Sequence, residues 1–411
     1  MNARLFLTFL CLHRAAAEYL GASPGACGGE EEEEGALMLH TRLQATNATT
    51  AMAKSASDVF EQYLQRFRKK YVPDSAEYAK RKEAFDAEWQ KVEAHNADAA
   101  STYRLAINQF SDWFPAELRS LRGLRKQKRE ASVFKEQPFN VSRPAADFPQ
   151  DFDWRHEGVV TPPKDQGQCA ASWAFAIAGV VESHAAIHSG VLTVLSPAQL
   201  LACAKHRCQG AGGCHGASTE AAMSYTQANG LVYAEAFPYE SFFGEAVECE
   251  LYLLFRTKFY KVAAVSGWAK TVSNSISDTM MALMNFGPLA SSVDASSWSS
   301  YGSGIANPCN IGRGLDLNHA VILVGYGQEG GRKFWSVRNS WGARWGEKGY
   351  IRLERQDDDS SICGTDPGHL SICDSDQTGP VSVCGTCGLL YEVSYPTGAD
   401  VVGVGKGDVH R

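Results

Sequence analysis

Basic charge, long apolar runs and repeats are all scarce in this chain of 411 residues, and each shortage excludes something. No segment beyond the N-terminus approaches the roughly 20 consecutive apolar residues that a membrane-crossing helix needs, so no membrane partner is expected once a leader is removed. The formal net charge is −7, partly from the acidic run Glu30 to Glu34, and the rest is near balance. There is no basic footprint for nucleic acid. No internal repeat is present, which removes solenoid architectures. His184 and His188 share one helical face, but no third ligand accompanies them, so neither a metal nor another cofactor is expected.

A length of 411 residues exceeds a typical domain, so two or more folded units are expected. Arg4, the short apolar run Leu5 to Leu12 and the small residues Ala15 to Ala17 form a signal-peptide pattern over residues 1–17. The rival reading is an ordinary buried N-terminal helix, since His13 and Arg14 blur the cleavage region. The twelve cysteines, ten of them at or beyond Cys169, suit an oxidising compartment and a disulfide-stapled C-terminal unit. Asn47 with Thr49 and Asn140 with Ser142 complete two glycosylation sequons. Together these point to the secretory route, ending outside the cell or in a lysosome-like or vacuole-like compartment.

Residues 18–56 are acidic, then rich in Ala, Thr and Asn without apolar periodicity, and read as a flexible leader. From residue 57 the pattern becomes helical, with Phe60, Tyr63, Leu64 and Phe67 on one face. A second helix carries Glu77, Arg81, Phe85, Glu88, Val92 and Asn96, at steps of three or four that place all six on one stripe. By itself that is an amphipathic surface helix. The spacing also resembles the long-helix motif of papain-family propeptides, and Ala106, Asn108, Phe110 and Asp112 follow in that family's second motif. Departures are Glu88 for Asn, Val92 for Ile and Ala106 for Gly. The resemblance implies that residues 57–121 are an inhibitory propeptide. Residues 122–146, with Arg122, Arg125, Lys126, Lys128 and Arg129, read as a cleavable linker; the rival, a nucleic-acid or nuclear-import patch, conflicts with the leader and the acidic balance.

Residues 147–411 form one cysteine-rich unit. Its first half is helical, with Trp173 to His188 apolar almost all round and stopped by Gly190, as in a helix buried in a core. Its second half is strand-like over Ala320 to Val324, Phe334 to Val337 and Tyr350 to Leu353. The stretches QGQCAASWAF from Gln166, LNHAVILVGYG from Leu317 and RNSWGARWGEKGY from Arg338 resemble, in this order, the papain family of cysteine peptidases. The family's signature C-G-[SA]-C-[WY] falls on Cys169, Ala170, Ala171, Ser172 and Trp173. The resemblance implies an α+β fold of two subdomains, a helical left one and a β-barrel-like right one with the cleft between them, of the cathepsin L-like zymogen type. It implies that Ser172 takes the nucleophile position, His319 the general base, Asn339 the residue orienting it and Gln166 the oxyanion-hole side chain, with Trp341 shielding the His319–Asn339 contact. Gly216, Ala217, Asn318 and Trp341 would line the substrate site. It also implies disulfides Cys169–Cys214, Cys203–Cys249 and Cys309–Cys387, and leaves Cys208, Cys363, Cys373 and Cys384 to pair among themselves. Cys384 and Cys387 also form a CGTC motif, for which a structural role is preferred to a redox one.

The serine changes the expected chemistry. A papain-type thiol ionises against its histidine before substrate arrives, whereas a hydroxyl needs general-base help, ordinarily from an imidazole backed by a carboxylate. Here the third residue is Asn339, and an asparagine in place of a serine triad's aspartate favours the wrong imidazole tautomer, so a weak nucleophile meets a weak base. Ala170 and Ala217, where the family has glycine, are expected to narrow the cleft if their φ angles allow the methyl at all. Three functions stay open: a peptidase of low activity acting on peptides or proteins, a pseudo-peptidase that binds them without turnover, and an inhibitor acting through its propeptide. The propeptide is the expected cleft inhibitor, and a monomer is expected.

Overall fold

The computed structural model describes residues 56–125, 148–204, 212–245, 248–249, 261–309, 312, 314–359, 361–368 and 379–402. The expected signal peptide, the expected leader up to residue 55, both sequons, Lys126 to Arg129, Cys208 and Cys373 lie outside them. The chain divides into units Met1–Glu61 and Gln62–Arg411. Of the first, only the opening of the helix Ala56–Arg66 is described. Everything below concerns the second.

The long stripe predicted from Glu77 to Asn96 is a 22-residue helix, Ala76–Ala97, capped by Ser75, whose hydroxyl accepts from the Tyr78 N–H at 3.1 Å. The stripe is its working face. Phe85 and Val92 are buried, and Arg81 donates to Glu117 at 2.5 and 2.7 Å. Glu88 accepts from the Ser300 hydroxyl, and Asn96 makes both bonds to the Leu105 backbone at 2.9 and 3.0 Å. Asp112, fully buried, accepts from Tyr63 and Lys69 at 2.7 Å each and from Tyr71 at 2.6 Å. Burial and that carboxylate push the Tyr63 hydroxyl far above its usual range. This unit joins the rest through the strand Tyr103–Leu105, antiparallel to Tyr301–Ala306.

The apolar helix predicted to end at Gly190 spans Ser172–Ser189, with buried residues on all sides from Ser172 to Ala186. Gly190 closes it in the left-handed conformation at φ 75°, donating to the Ala186 carbonyl. Around it pack the helices Pro197–Cys203 and Thr219–Asn229, capped by Ser196 and Ser218. The sheet runs Tyr103–Leu105, Tyr301–Ala306, Tyr350–Glu354, Arg332–Arg338, His319–Glu329, Leu289–Val293, Val393–Thr397, Gly267–Lys270, with Phe152–Asp153 added beside His319–Glu329. Among the described residues it forms no closed barrel. Tyr301–Ala306, which Gly267–Lys270 would have to meet to close it, already pairs on both edges, with Tyr103–Leu105 and Tyr350–Glu354.

The strand His319–Glu329 divides the interior. Its alternate residues Ala320, Ile322 and Val324 belong to the core around the central helix, while Val321 and Leu323 belong to the core holding Trp298, Trp335, Trp341 and Trp345. The helix reaches the strand because Gly179 has no side chain: a Cβ there would lie 1.9 Å from Arg338 Nη2 and 2.5 Å from Ile322 Cδ1. Arg338 is buried and donates to the Thr161 carbonyl at 2.6 Å and its hydroxyl at 2.8 Å; Thr161 donates in turn to Glu182, which pairs with Lys164. Among the described residues, four disulfides tie the outer loops. Cys169–Cys214, Cys203–Cys249 and Cys309–Cys387 have Cα separations of 4.6, 4.9 and 5.3 Å. A fourth, Cys363–Cys384, staples the hairpin of Cys363–Asp366 and Val381–Cys384. The two cysteines of the CGTC motif therefore sit in different disulfides.

Gly179→Ala sets two effects against each other. Alanine favours a helix over glycine by about 1 kcal/mol, but overpacking against a buried guanidinium costs about 1 to 3 kcal/mol. Net destabilisation is expected. Urea unfolding of the variant checks it, and an unchanged or higher midpoint would contradict the close helix–strand contact.

Candidate active site

The site lies where the two cores meet. Ser172 is the first residue of the central helix, fully buried, and its Oγ accepts from the Ala320 N–H at 3.2 Å. The helix dipole places positive potential at that hydroxyl. His319 opens the central strand beside it and is likewise fully buried, with Trp341 at 4.9 Å between ring centroids and Trp298 at 6.4 Å. Trp341 thus covers the histidine, where shielding was expected. The structure also brings Asn339 and Gln166 to this point.

His319 Nε2 lies 2.8 Å from Asn339 Oδ1. The Ser340 backbone N–H donates to that same oxygen at 2.7 Å, and a backbone N–H can only donate, so the atom is the carbonyl oxygen and not the amide nitrogen. His319 Nε2 therefore carries the proton and Nδ1 carries the lone pair. Nδ1 has no hydrogen-bond partner among the described residues. Desolvation pushes the His319 pKa down to about 4, opposed by the bond to Asn339 and by the nearby Leu121 carbonyl and helped by the Arg122 guanidinium. At neutral pH the imidazole is uncharged. An Asn in the third position thus does not impose the wrong tautomer here; what it fails to supply is charge.

Gln166 is fully buried and held at every polar group. Its Oε1 accepts from Ser340 Oγ at 2.7 Å, its N–H donates to the Ser340 carbonyl at 2.9 Å, and its carbonyl accepts from the Tyr239 hydroxyl at 2.8 Å. Its Nε2 donates to the carbonyls of Cys169 at 2.8 Å and Leu121 at 3.1 Å. Trp341 Nε1 also donates to Leu121, at 3.3 Å. Ser340, which ties Gln166 to Asn339, was not singled out from the sequence, although it sits between Asn339 and Trp341 in a motif that was.

Leu121 belongs to a segment that runs through the site. Leu124 pairs in parallel with Ala217, its N–H donating to the Asn318 carbonyl at 3.0 Å. Arg125 N–H donates to Ala217 O at 2.9 Å, and Ala217 N–H to Gly123 O at 3.0 Å. Residues 122–125, assigned to a linker from sequence, are thus paired along the cleft. Gly216, at φ 89°, is approached so closely that a Cβ would meet Gly123 O at 2.6 Å. Gly123 in turn lies on the loop before Ser172, where a Cβ would sit 2.0 Å from Ala170 O. Ala170 and Ala217 are absent from the positive-φ residues, and Ala217 uses both backbone groups on a seated peptide, so the crowding expected of its methyl does not prevent pairing. The two histidines considered for metal take other roles. His184 is buried with Nε2 2.8 Å from Pro288 O, and His188 lies 3.6 Å from Asp400.

A buried helix and an open sheet that meet at serine, histidine, asparagine and glutamine, with a helical N-terminal unit threading the seam, define the proenzyme architecture of a papain-like peptidase. The chain belongs to the papain family of cysteine proteases, whose family model matches residues 148–370, and the cathepsin propeptide inhibitor domain matches residues 60–118. It is similar to a digestive cysteine proteinase of Homarus americanus, 36% identical over 76% of this chain and 94% of that protein. It is 31% identical to mouse pro-cathepsin H over 78% of this chain and 92% of that one. Among solved structures it resembles procathepsin L 3 of Tenebrio molitor larval midgut, with a TM-score of 0.64 and 28% identity over 85% of this chain and all of that one. It also resembles the stem bromelain precursor, with a TM-score of 0.64 and 31% identity over 83% of this chain and 98% of that one. No described helix is long and apolar enough to cross a membrane.

Two predictions follow from this geometry. His319 and His184 are both pushed down to about 4 by burial, against about 6.5 when unfolded. Between those values the unfolded chain binds more protons, so stability is full above about pH 6.5 and falls by about 1.4 kcal/mol per pH unit per histidine as pH drops toward 4. A urea midpoint flat across that window would refute the buried neutral state. The second concerns Gly123→Ala, which forces the segment off Ala170 O. Inhibition by the covering segment should weaken at least about tenfold, the effect of losing roughly 1.4 kcal/mol of contact, and an unchanged inhibition constant would show that the close approach is not needed.

Proposed function

We propose that this chain is a peptidase zymogen in which Ser172 stands in the nucleophile position, His319 is the base, Asn339 orients it, and Gln166 offers the oxyanion donor. The observation that carries the reading is the neutral His319 with its Nδ1 lone pair unpartnered, beside a buried hydroxyl at a helix N-terminus. In the catalytic step Nδ1 would take the Ser172 proton as Oγ attacks the carbonyl, Gln166 Nε2 would stabilise the oxyanion, and imidazolium would return the proton to the leaving amine. Leu121 holds its carbonyl against Gln166 Nε2 in the zymogen, which supports that assignment.

Turnover is expected to be low. A hydroxyl is not ionised by a neighbouring imidazole as a thiol is, and no carboxylate stabilises the imidazolium. This favours a second reading, a pseudo-peptidase that binds peptides or proteins in an intact cleft. Inhibition of other peptidases through residues 57–121 is a third, supported by a folded propeptide unit with its own Asp112 hub. The segment 1–17 supports entry to the secretory route.

The test compares the processed protein carrying Ser172 with Ser172→Cys on a fluorogenic peptide. The cysteine form should cleave at least about a thousandfold faster, in line with roughly 4 kcal/mol of transition-state stabilisation. Comparable rates would make this a serine-dependent peptidase. A residual rate in the serine form that survives His319→Ala would remove the assigned base.

A further inference from the structure

Two of the three departures from the propeptide motif meet the peptidase domain at one place, the strand Tyr301–Ala306 and the residue before it. Glu88 stands where the motif has asparagine. Its carboxylate accepts from the buried Ser300 hydroxyl and pairs with Lys91 at 3.0 Å, while Lys91 donates to the same hydroxyl oxygen at 3.2 Å. The proton of Ser300 Oγ and one of its lone pairs are therefore both in use. Ala106 stands where the motif has glycine. Its N–H donates to the Ser300 carbonyl at 2.8 Å.

Gly302, two residues beyond Ser300, faces the Ala106 methyl. A Cβ on Gly302 would lie 2.9 Å from Ala106 Cβ, 3.1 Å from the Arg104 carbonyl oxygen and 3.3 Å from the Ala106 nitrogen. Carbon atoms in contact sit roughly 3.5–4.0 Å apart, so the first of these is an overlap. Gly302 is absent from the positive-φ glycines, so its backbone would accept an alanine, and space alone requires glycine. A glycine at 106 would remove the overlap. The methyl gained on one side of the contact is thus matched by the side chain missing on the other.

We infer that Glu88 with Ser300, and Ala106 with Gly302, form a matched contact that fits this propeptide unit to its own peptidase domain, and that a papain-family domain carrying a side chain in place of Gly302 would reject it. The inference rests on the propeptide reading of residues 57–121 and not on turnover by Ser172. It narrows the inhibitor reading above to one kind of partner, a second copy of this peptidase domain or a relative with glycine in this place. Volume sets the exclusion. The Glu88 carboxylate adds a charge-assisted bond to Ser300 that an asparagine could not make as strongly.

The experiment uses the full-length chain, in which Gly302→Ala stands in for a relative's domain. Hydrogen exchange at the Leu124 and Arg125 amides, which donate to Asn318 and Ala217 across the cleft, reads how often the unit lifts off. The amides of Leu289–Val293, paired with the central strand, are the control. Gly302→Ala should speed exchange at Leu124 and Arg125 at least about tenfold, the effect of mild overpacking, and leave the control amides unchanged. In an Ala106→Gly background the same substitution should have less than about a threefold effect, because the overlap is gone. An equal effect in both backgrounds, or none in either, would overturn the inference while leaving the propeptide in place over the cleft. Ser300→Ala, which removes only the hydroxyl, is the second variant in case Gly302→Ala misfolds. It should speed exchange about threefold to tenfold, and no change would overturn the inference. Exchange of Leu124 in the parent chain at the rate of an unstructured peptide would overturn the covering role itself.

Discussion

Burial of the strand His319–Glu329 on both faces is the constraint on which the site depends. Its alternate side chains serve different cores, so a shift by one residue would exchange the two sets and misfit both cores. That fixed register sets where His319 begins. It also sets the Ala320 N–H that meets Ser172 Oγ, because Ala320 lies on the face toward the central helix. Gly179 allows the helix close enough, and the Arg338, Thr161, Glu182 and Lys164 network holds helix, loop and sheet together beneath the contact. Active-site geometry here is a consequence of packing.

Much of this was legible in the sequence, and the reasons differ by element. The central helix announced itself by being apolar all round and ending at Gly190, since only a fully buried helix can dispense with a polar face. The paired motifs around His319 and Asn339 carried their own context. What stayed hidden depends on main-chain placement. The Leu121 carbonyl at Gln166 and the Ala320 N–H at Ser172 involve groups every residue possesses, so no side chain marks them. Pairing of Cys363 with Cys384 rests on the register of a hairpin whose strands sequence alone did not align. That the described sheet forms no closed barrel follows from Tyr103–Leu105, a strand of the N-terminal unit, pairing on the edge that closure would have needed.

The third residue shows how a structure can change a chemical argument without changing its outcome. From sequence, an asparagine beside a histidine suggested the tautomer defect of a serine triad that has lost its aspartate. The Ser340 N–H removes that defect by claiming Asn339 Oδ1, which turns the carbonyl oxygen toward His319 and fixes Nε2 as the donor. His319 is thus oriented as the proposed role of base requires. It is nevertheless a poor base while it is buried, because desolvation holds its pKa near 4 and no anion offsets the cost of charging it.

That same burial is partly the work of the covering segment. Leu121 lies over His319, and Arg122 sets a positive charge close enough to oppose its protonation. When the segment leaves, both influences go with it, so the imidazole regains solvent and its proton affinity rises. In a thiol enzyme that rise would complete an ion pair with the nucleophile. With Ser172 it cannot, because a hydroxyl far from ionisation gives the imidazolium no anion to face. Uncovering therefore improves the base without making the nucleophile.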